Sequence, residues 1–189
     1  MGHIRQLSEN LANKIAAGEV VERPASVIKE LTENSIDAKA KSITILVEQG
    51  GTSKMCVIDD GIGMNRADAL LCFSRHATSK IVGENDLFNI TTLGFRGEAI
   101  PSIASISVFT LETNNGEENT KVEYEFGKRK NVGSVAMNRG TKITVERIFQ
   151  NVPARLKYMK SINAEFAAIY SYVERLALAH PEISFTLIH

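Results

Sequence analysis

The sequence predicts an α+β fold in which helices are layered on one face of a sheet. Strand-like segments follow one another in the second half of the chain, which favours a sequential sheet over regular β-α alternation. The chain has 189 residues, of which 43% are hydrophobic, enough for one substantial core. We therefore expect one domain over residues 1–189.

Two helices are predicted before residue 40. Ser8 is suited to cap the first, which runs through Ala17 and stops at Gly18. The second begins near Pro24, a residue tolerated in a first helical turn. Its apolar stripe consists of Val27, Leu31 and Ala38.

A pair of antiparallel strands and a third helix follow. Residues 43–47 alternate in character and residues 55–59 are apolar, with a turn at 49–53 between them. Asn65 is suited to cap a helix that contains Leu70, Leu71 and Phe73.

The stretch 74–97 is irregular, and a connection of this length is typical of a functional segment. Beyond it the pattern predicts a short helix near 98–105, strands near 107–113, 121–126, 132–137 and 141–147, a helix near 163–179 and a strand at 183–188.

Glu30 and Asn34 lie four residues apart in the second predicted helix, so both side chains share one face. The carboxylate can polarise an attacking water, and an amide oxygen beside it suits Mg²⁺. On spacing alone, two neighbours on a solvated helix face are the commoner explanation.

Asp59 ends an apolar strand, where its carboxylate can accept a hydrogen bond from an exocyclic amine such as that of adenine. Gly61 and Gly63 are expected to leave room beside it. A segment of this composition, Asp59 to Gly63, more often forms a plain turn.

Gly94 and Gly97 flank Phe95 and Arg96, so backbone N–H groups and one cation can approach phosphate oxygens. Thr141 follows Gly140 at the start of the strand predicted at 141–147. Threonine is common in strands, so β-propensity alone also explains it. Each element is weak alone, but their ordered conjunction predicts a nucleotide pocket.

These elements resemble the ATP-binding motifs of the family that unites DNA gyrase B, the large heat-shock chaperone ATPases, sensor histidine kinases and MutL. The runs that resemble MutL mismatch-repair proteins in particular are Asn13 to Val27, Arg75 to Lys80, Gly94 to Ala99 and Pro153 to Arg155. The resemblance covers the whole chain. The chain has Asp60 where the family commonly has Asn, and Val152 where it commonly has Thr.

The resemblance implies a two-layer sandwich of a mixed, largely antiparallel sheet, with ATP between the helices and the sheet. It implies Glu30 as general base, Asn34 as Mg²⁺ ligand, and Asp59 as acceptor of the adenine amine, supported by Thr141. The residues implied to form a lid over the phosphates are Thr78, Ser79, Lys80, Gly94, Phe95, Arg96 and Gly97.

The resemblance also implies that ATP pairs two N-terminal domains, as a homo- or heterodimer, and so signals to mismatch-recognition and downstream repair proteins. The family's ATPase unit continues into a second domain that supplies a lysine to the γ-phosphate, and we expect the chain to stop short of it. Slow hydrolysis is therefore one expectation, and a non-hydrolysing ATP-dependent dimerisation switch is the other. A third, a topoisomerase ATPase or kinase domain of the same superfamily, is disfavoured by the run from Asn13 to Val27.

Twenty-two basic residues balance twenty-two acidic ones, so no whole-molecule field attracts nucleic acid. Weak DNA contact would come from a local cluster at Arg155, Lys157 and Lys160, although a solvated helix face explains it equally well. No Gly-x4-Gly-Lys-Ser/Thr phosphate loop is present, and no apolar run approaches the roughly 20 residues that span a bilayer. We expect no membrane association and a cytoplasmic location, or a nuclear one in a eukaryote.

Overall fold

The computed structural model describes residues 17, 18, 20–75, 77 and 97–189. Its strands are β1 (Ser42–Glu48), β2 (Lys54–Asp59), β3 (Val108–Asn114), β4 (Asn119–Glu125), β5 (Lys128–Gly133), β6 (Gly140–Glu146) and β7 (Ser184–Ile188). The α-helices that we label within the described residues are α1 (Pro24–Asp37), α2 (Arg66–Leu71), α3 (Ala99–Ser105), α4 (Pro153–Lys157) and α5 (Ile162–Ala179).

The strands form one sheet in the order β5-β4-β3-β6-β2-β1-β7. Neighbouring strands are antiparallel except β1 and β7, which are parallel. The predicted α+β class, with a mixed and largely antiparallel sheet, is confirmed.

The core lies between the helices and one face of the sheet. Successive side chains of a strand point to opposite faces, and the buried set on β1 is Ile43, Ile45 and Val47. Helix α1 covers this part of the sheet with a buried stripe that includes Val27, Ile28 and Leu31.

Three polar residues continue the core-facing alternation where β2, β6 and β3 lie side by side. Asp59 and Thr113 both pair with Thr141 in the strand register, and all three are buried. The sheet therefore brings together polar side chains that are far apart in the sequence.

Most predicted elements are confirmed, including α1, the β1–β2 pair and the Asn65 cap, whose side chain accepts from the Asp68 N–H at 2.8 Å. The strand predicted near 132–137 is wrong, because β5 occupies Lys128–Gly133. The left-handed backbone of Phe126 and Gly127 turns the chain directly into this charged, exposed strand, which has no apolar alternation to reveal it.

Two helix ends also differ from the prediction. Gly18 is helical, as are Ala17 and Val20, so the predicted stop at Gly18 is wrong. Phe73 lies beyond the end of α2, where its ring stacks on Tyr124 at a centroid distance of 4.1 Å. Both differences reflect tertiary packing that local propensity does not contain.

Helix α4 was not predicted, although Pro153 at its first turn is a usable signal. Among the described residues, no helix combines the length and the apolar character needed to cross a membrane.

Candidate functional site

Asp59 is the best-defined polar group of the site, and its carboxylate is held by three hydrogen bonds. Oδ1 accepts from the backbone N–H of Gly61 at 2.9 Å and of Thr141 at 3.2 Å. Oδ2 accepts from the hydroxyl of Ser35 at 2.7 Å. The residue is only 9% exposed, and this burial raises its pKa, against the opposing effect of the Ser35 hydrogen bond.

Ser35 connects α1 to the end of β2, and it was not among the predicted site residues. Its hydroxyl lies 2.7 Å from Asp59 Oδ2 and 3.1 Å from the Leu31 carbonyl oxygen, so one proton serves two acceptors. Ser35 belongs to the buried stripe of α1. A serine among buried apolar residues of a helix indicates a hydrogen-bond partner in the core, and this was the sequence feature that could have identified it.

Thr113 is the second residue that the sequence analysis missed. Its hydroxyl accepts from the Met64 N–H at 2.9 Å and lies 3.2 Å from the Thr141 hydroxyl. It is fully buried, so these contacts fix the segment after Asp59 against β3. The sequence feature that could have identified it is a threonine at a position of β3 whose alternating neighbours, Phe109 and Leu111, face the core.

Glu30 and Asn34 lie on α1, one turn apart, as predicted. The Glu30 side chain is 23% exposed, and its Oε1 lies 3.6 Å from the ammonium of Lys29. Asn34 is half-buried and directly precedes Ser35, which contacts Asp59. Both side chains are therefore partly exposed on α1, and Asn34 is adjacent in sequence to the residue that contacts the end of β2.

The predicted glycines are close to protein atoms. A Cβ at Gly61 would lie 2.7 Å from the Ala38 carbonyl oxygen and 3.0 Å from Asp59 Oδ1, so a side chain at this position would press on the end of α1 and on the Asp59 carboxylate. Gly63 has a φ of +68° and a Cβ there would collide with the Asn114 carbonyl oxygen. These glycines permit close backbone approach.

Gly97 is the one predicted lid residue that the structure describes. Its φ is +61°, and a Cβ on it would lie 2.5 Å from the Ala77 carbonyl oxygen. The other predicted lid residues, Thr78, Ser79, Lys80, Gly94, Phe95 and Arg96, lie outside the described residues.

Within the described part of the chain, no group of three or more His, Cys, Asp or Glu side chains is arranged to hold a metal ion. An amide oxygen is a ligand type that Mg²⁺ accepts, and this cation binds through few protein oxygens and keeps waters and substrate phosphates as its other ligands, so Asn34 as a ligand stays a prediction.

The predicted basic cluster is divided by the structure. Arg155 donates to the carbonyl oxygens of Gly18 and Val21, both at 2.7 Å, so its guanidinium is engaged within the protein. Lys157 and Lys160 are exposed. The cluster therefore combines one arginine that is hydrogen-bonded within the protein with two exposed lysines, and its proposed contact with DNA stays a prediction.

Comparison with known proteins gives one family match and many relatives. Residues 22–158 match the family described as histidine kinase-, DNA gyrase B-, and HSP90-like ATPase. The DNA mismatch repair protein MutL of Halalkalibacterium halodurans is 55% identical over 190 residues, covering 100% of this chain and 30% of that protein. MutL of Geobacillus kaustophilus is 56% identical over 190 residues, with the same coverages. The chain thus spans about 30% of the length of these relatives.

Solved structures give the same result for the fold. The Aquifex aeolicus MutL ATPase domain complexed with ADP has a TM-score of 0.70 and 30% identity, over 89% of this chain and 60% of that one. The N-terminal domain of a DNA repair protein has a TM-score of 0.79 and 27% identity, over 93% of this chain and 51% of that one.

Proposed function

Because this chain belongs to the histidine kinase-, DNA gyrase B- and HSP90-like ATPase family, and within it to the MutL N-terminal ATPase region, we propose that its site binds Mg-ATP and hydrolyses it slowly. The site lies where α1 meets the ends of β2 and β6. The experiment that tests this proposal is a calorimetric titration of the chain with Mg-ATP.

The buried Asp59 carboxylate is the observation that carries the proposal. Two backbone N–H groups hold Oδ1, and Oδ2 is left with one hydroxyl partner and further lone-pair capacity. A carboxylate that is kept buried with acceptor capacity suits an amine donor such as the exocyclic amine of adenine. Thr141 supports this acceptor through its backbone N–H.

Glu30 and Asn34 supply the chemistry at the phosphate end. Glu30 is partly exposed, so its carboxylate can accept a proton from the attacking water. Asn34 would hold Mg²⁺ through its side-chain oxygen, and the metal would neutralise charge on the phosphate oxygens. The residues proposed as the lid, Thr78 to Lys80 and Gly94 to Gly97, would cover those phosphates.

The biological output that we propose is a nucleotide-dependent pairing of two such domains, which signals to other mismatch-repair proteins. The relatives are DNA mismatch repair proteins, and one solved MutL ATPase domain carries ADP. Slow turnover is proposed because the resemblance implies that a lysine of a second domain contacts the γ-phosphate, and cations placed against developing charge lower the barrier to phosphoryl transfer.

Ser35→Ala is expected to weaken ATP binding about fivefold without unfolding the chain. The change removes the donor to Asp59 Oδ2, and a hydrogen bond of this kind contributes about 1 kcal/mol. Isothermal titration calorimetry measures the affinity. Thr32→Val is the matched control, because it removes a buried hydroxyl from the same helix that bonds to Ile28 instead of Asp59. Equal losses in both variants would contradict a role through Asp59.

DNA binding is expected to be weak and to depend on Lys157 and Lys160 alone. Neutralising about two phosphates predicts a slope near −2 in log affinity against log salt. Changing both residues to Ala should remove most of this binding in a fluorescence anisotropy titration. The control is the double change of Lys128 and Arg129 to Ala, which removes the same charge from the exposed strand β5. A salt-independent signal, or equal losses in both double variants, would refute the assignment.

A further inference from the structure

Arg155 joins two segments that are far apart in the sequence. Its Nη1 donates to the Val21 carbonyl oxygen and its Nη2 to that of Gly18, both at 2.7 Å. The guanidinium carbon lies 5.8 Å from the centroid of the fully buried Phe149 ring. A planar guanidinium donates to the two carbonyls from two nitrogens held in one plane, whereas an ammonium group has a single donor nitrogen.

The two carbonyls belong to the turn that leads into α1. Ala17, Gly18 and Val20 are helical, and the Val21 N–H bonds to the Ala17 carbonyl at 2.8 Å. The last carbonyls of a helical segment have no partner within it, and a cation there is favourable. Arg155 provides that partner from α4.

A second arginine, two residues after Val21, holds the same connection. Arg23 immediately precedes α1, and its guanidinium forms an ion pair with Glu165 of α5 at 2.9 Å. Glu165 is only 2% exposed and also accepts from the Lys160 N–H at 3.1 Å. The connection 17–23, of which residues 17, 18 and 20–23 are described, is therefore attached to the segment 153–165 through Gly18 and Val21 at one point and through Arg23 at another.

We propose that Arg155 is a positioning residue, which fixes the start of α1 and, through this helix, the placement of Glu30 and Asn34. Only the last step, the effect on hydrolysis, rests on the proposed function. The mechanical part of the proposal, by which we mean that Arg155 holds the 17–23 connection and the first turn of α1 in place, can be tested without nucleotide.

Gly18 offers an independent way to break the contact. A Cβ at Gly18 would collide with Nη2 of Arg155 and lie 3.2 Å from its Cζ. The guanidinium is held by two hydrogen bonds, so it cannot move aside without losing them. Gly18 is helical and has no positive φ, so alanine would otherwise be the better helix former.

The effect of Gly18→Ala on thermal stability should therefore depend on which residue stands at position 155. With Arg155 present, Gly18→Ala should lower the midpoint of thermal unfolding. In an Arg155→Met background, the same change should leave the midpoint unchanged or raise it. Equal decreases in both backgrounds would overturn the proposed contact.

Amide hydrogen exchange tests whether the contact positions α1. In Arg155→Met, exchange should become about tenfold faster over 17–23 and in the first turn of α1, as expected for the loss of charge-assisted hydrogen bonds. Lys157→Met, a change of the same charge in the same helix, should leave these segments unaffected. Faster exchange confined to 153–158 would show that Arg155 stabilises only its own helix, and would overturn the proposal.

Arg155→Met should also lower kcat for ATP about tenfold while KM changes less than twofold, because reacting groups are displaced without loss of the adenine site. Arg155→Lys should not restore kcat, since a single ammonium nitrogen on a shorter side chain does not reproduce the two bonds that Nη1 and Nη2 donate in one plane. Full rescue by lysine would overturn the role of the bidentate contact. If the unmodified chain fails to bind ATP, the proposed function fails, and the exchange and unfolding experiments still decide the mechanical part.

Discussion

Asp59→Asn is expected to abolish measurable ATP binding while the chain remains folded. The two backbone N–H donors at Oδ1 require an acceptor, so they orient the new amide with its oxygen toward Gly61 and Thr141. Its NH₂ group then occupies the position of Oδ2 and faces the adenine amine with donors. A buried donor left unpaired costs about 1 to 3 kcal/mol, in addition to the lost charge-assisted bond, which together predict at least a hundredfold loss.

The fold should tolerate this change. The Ser35 hydroxyl can accept from the new NH₂ group and donate to the Leu31 carbonyl, which lies 3.1 Å away. Burial raises the pKa of Asp59, so ionisation of this carboxyl costs more free energy in the folded chain than in the unfolded chain. A neutral amide removes that penalty.

Calorimetry with Mg-ATP measures the loss of binding, and circular dichroism measures the fold. Asp60→Asn is the matched control: Asp60 is exposed, and its Oδ1 accepts from the N–H groups of Lys41 and Ser42, a role that an amide oxygen can also fill. Unchanged affinity in the folded Asp59→Asn protein would refute the assignment of Asp59.

Elements whose pattern is local were predictable from the sequence. The apolar residues of β1 and β2 show which face is buried, and the same alternation places Asp59 on that face. The likeness to known ATP-binding motifs then singled out Glu30, Asn34 and Thr141. The structure sets Thr141 opposite Asp59 in the register, but it does not itself test their proposed roles.

The partners of these residues were not predictable, because their contacts join distant segments. Ser35 reaches Asp59 across 24 positions, and Arg155 reaches Gly18 across 137. No local period encodes such a pair, and each residue has an ordinary local explanation, a helix serine or a surface cation. The position of β5 was missed for a related reason, since an exposed charged edge strand carries no apolar alternation.

Glu30→Ala is expected to leave ATP binding nearly unchanged while hydrolysis falls by roughly 10²- to 10⁴-fold, the usual effect of losing a positioned general base. The adenine acceptor Asp59 and the proposed metal ligand Asn34 both remain. Glu33→Gln is the matched control, because Glu33 also lies near Lys29 and its acceptor oxygen for the Tyr172 hydroxyl is retained. Calorimetry gives the affinity, and phosphate release gives the turnover.

The unmodified chain should hydrolyse ATP more slowly than a version extended to the length of its MutL relatives. Cations placed against the developing charge supply much of the barrier reduction in phosphoryl transfer. Turnover is therefore compared among this chain, its Glu30→Ala variant and the extended protein. Equal turnover of the short and extended forms would show that the γ-phosphate lysine implied by the family resemblance is dispensable. Equal turnover of the unmodified chain and Glu30→Ala would show that Glu30 is not the base, and with intact ATP binding it would favour the non-hydrolysing switch.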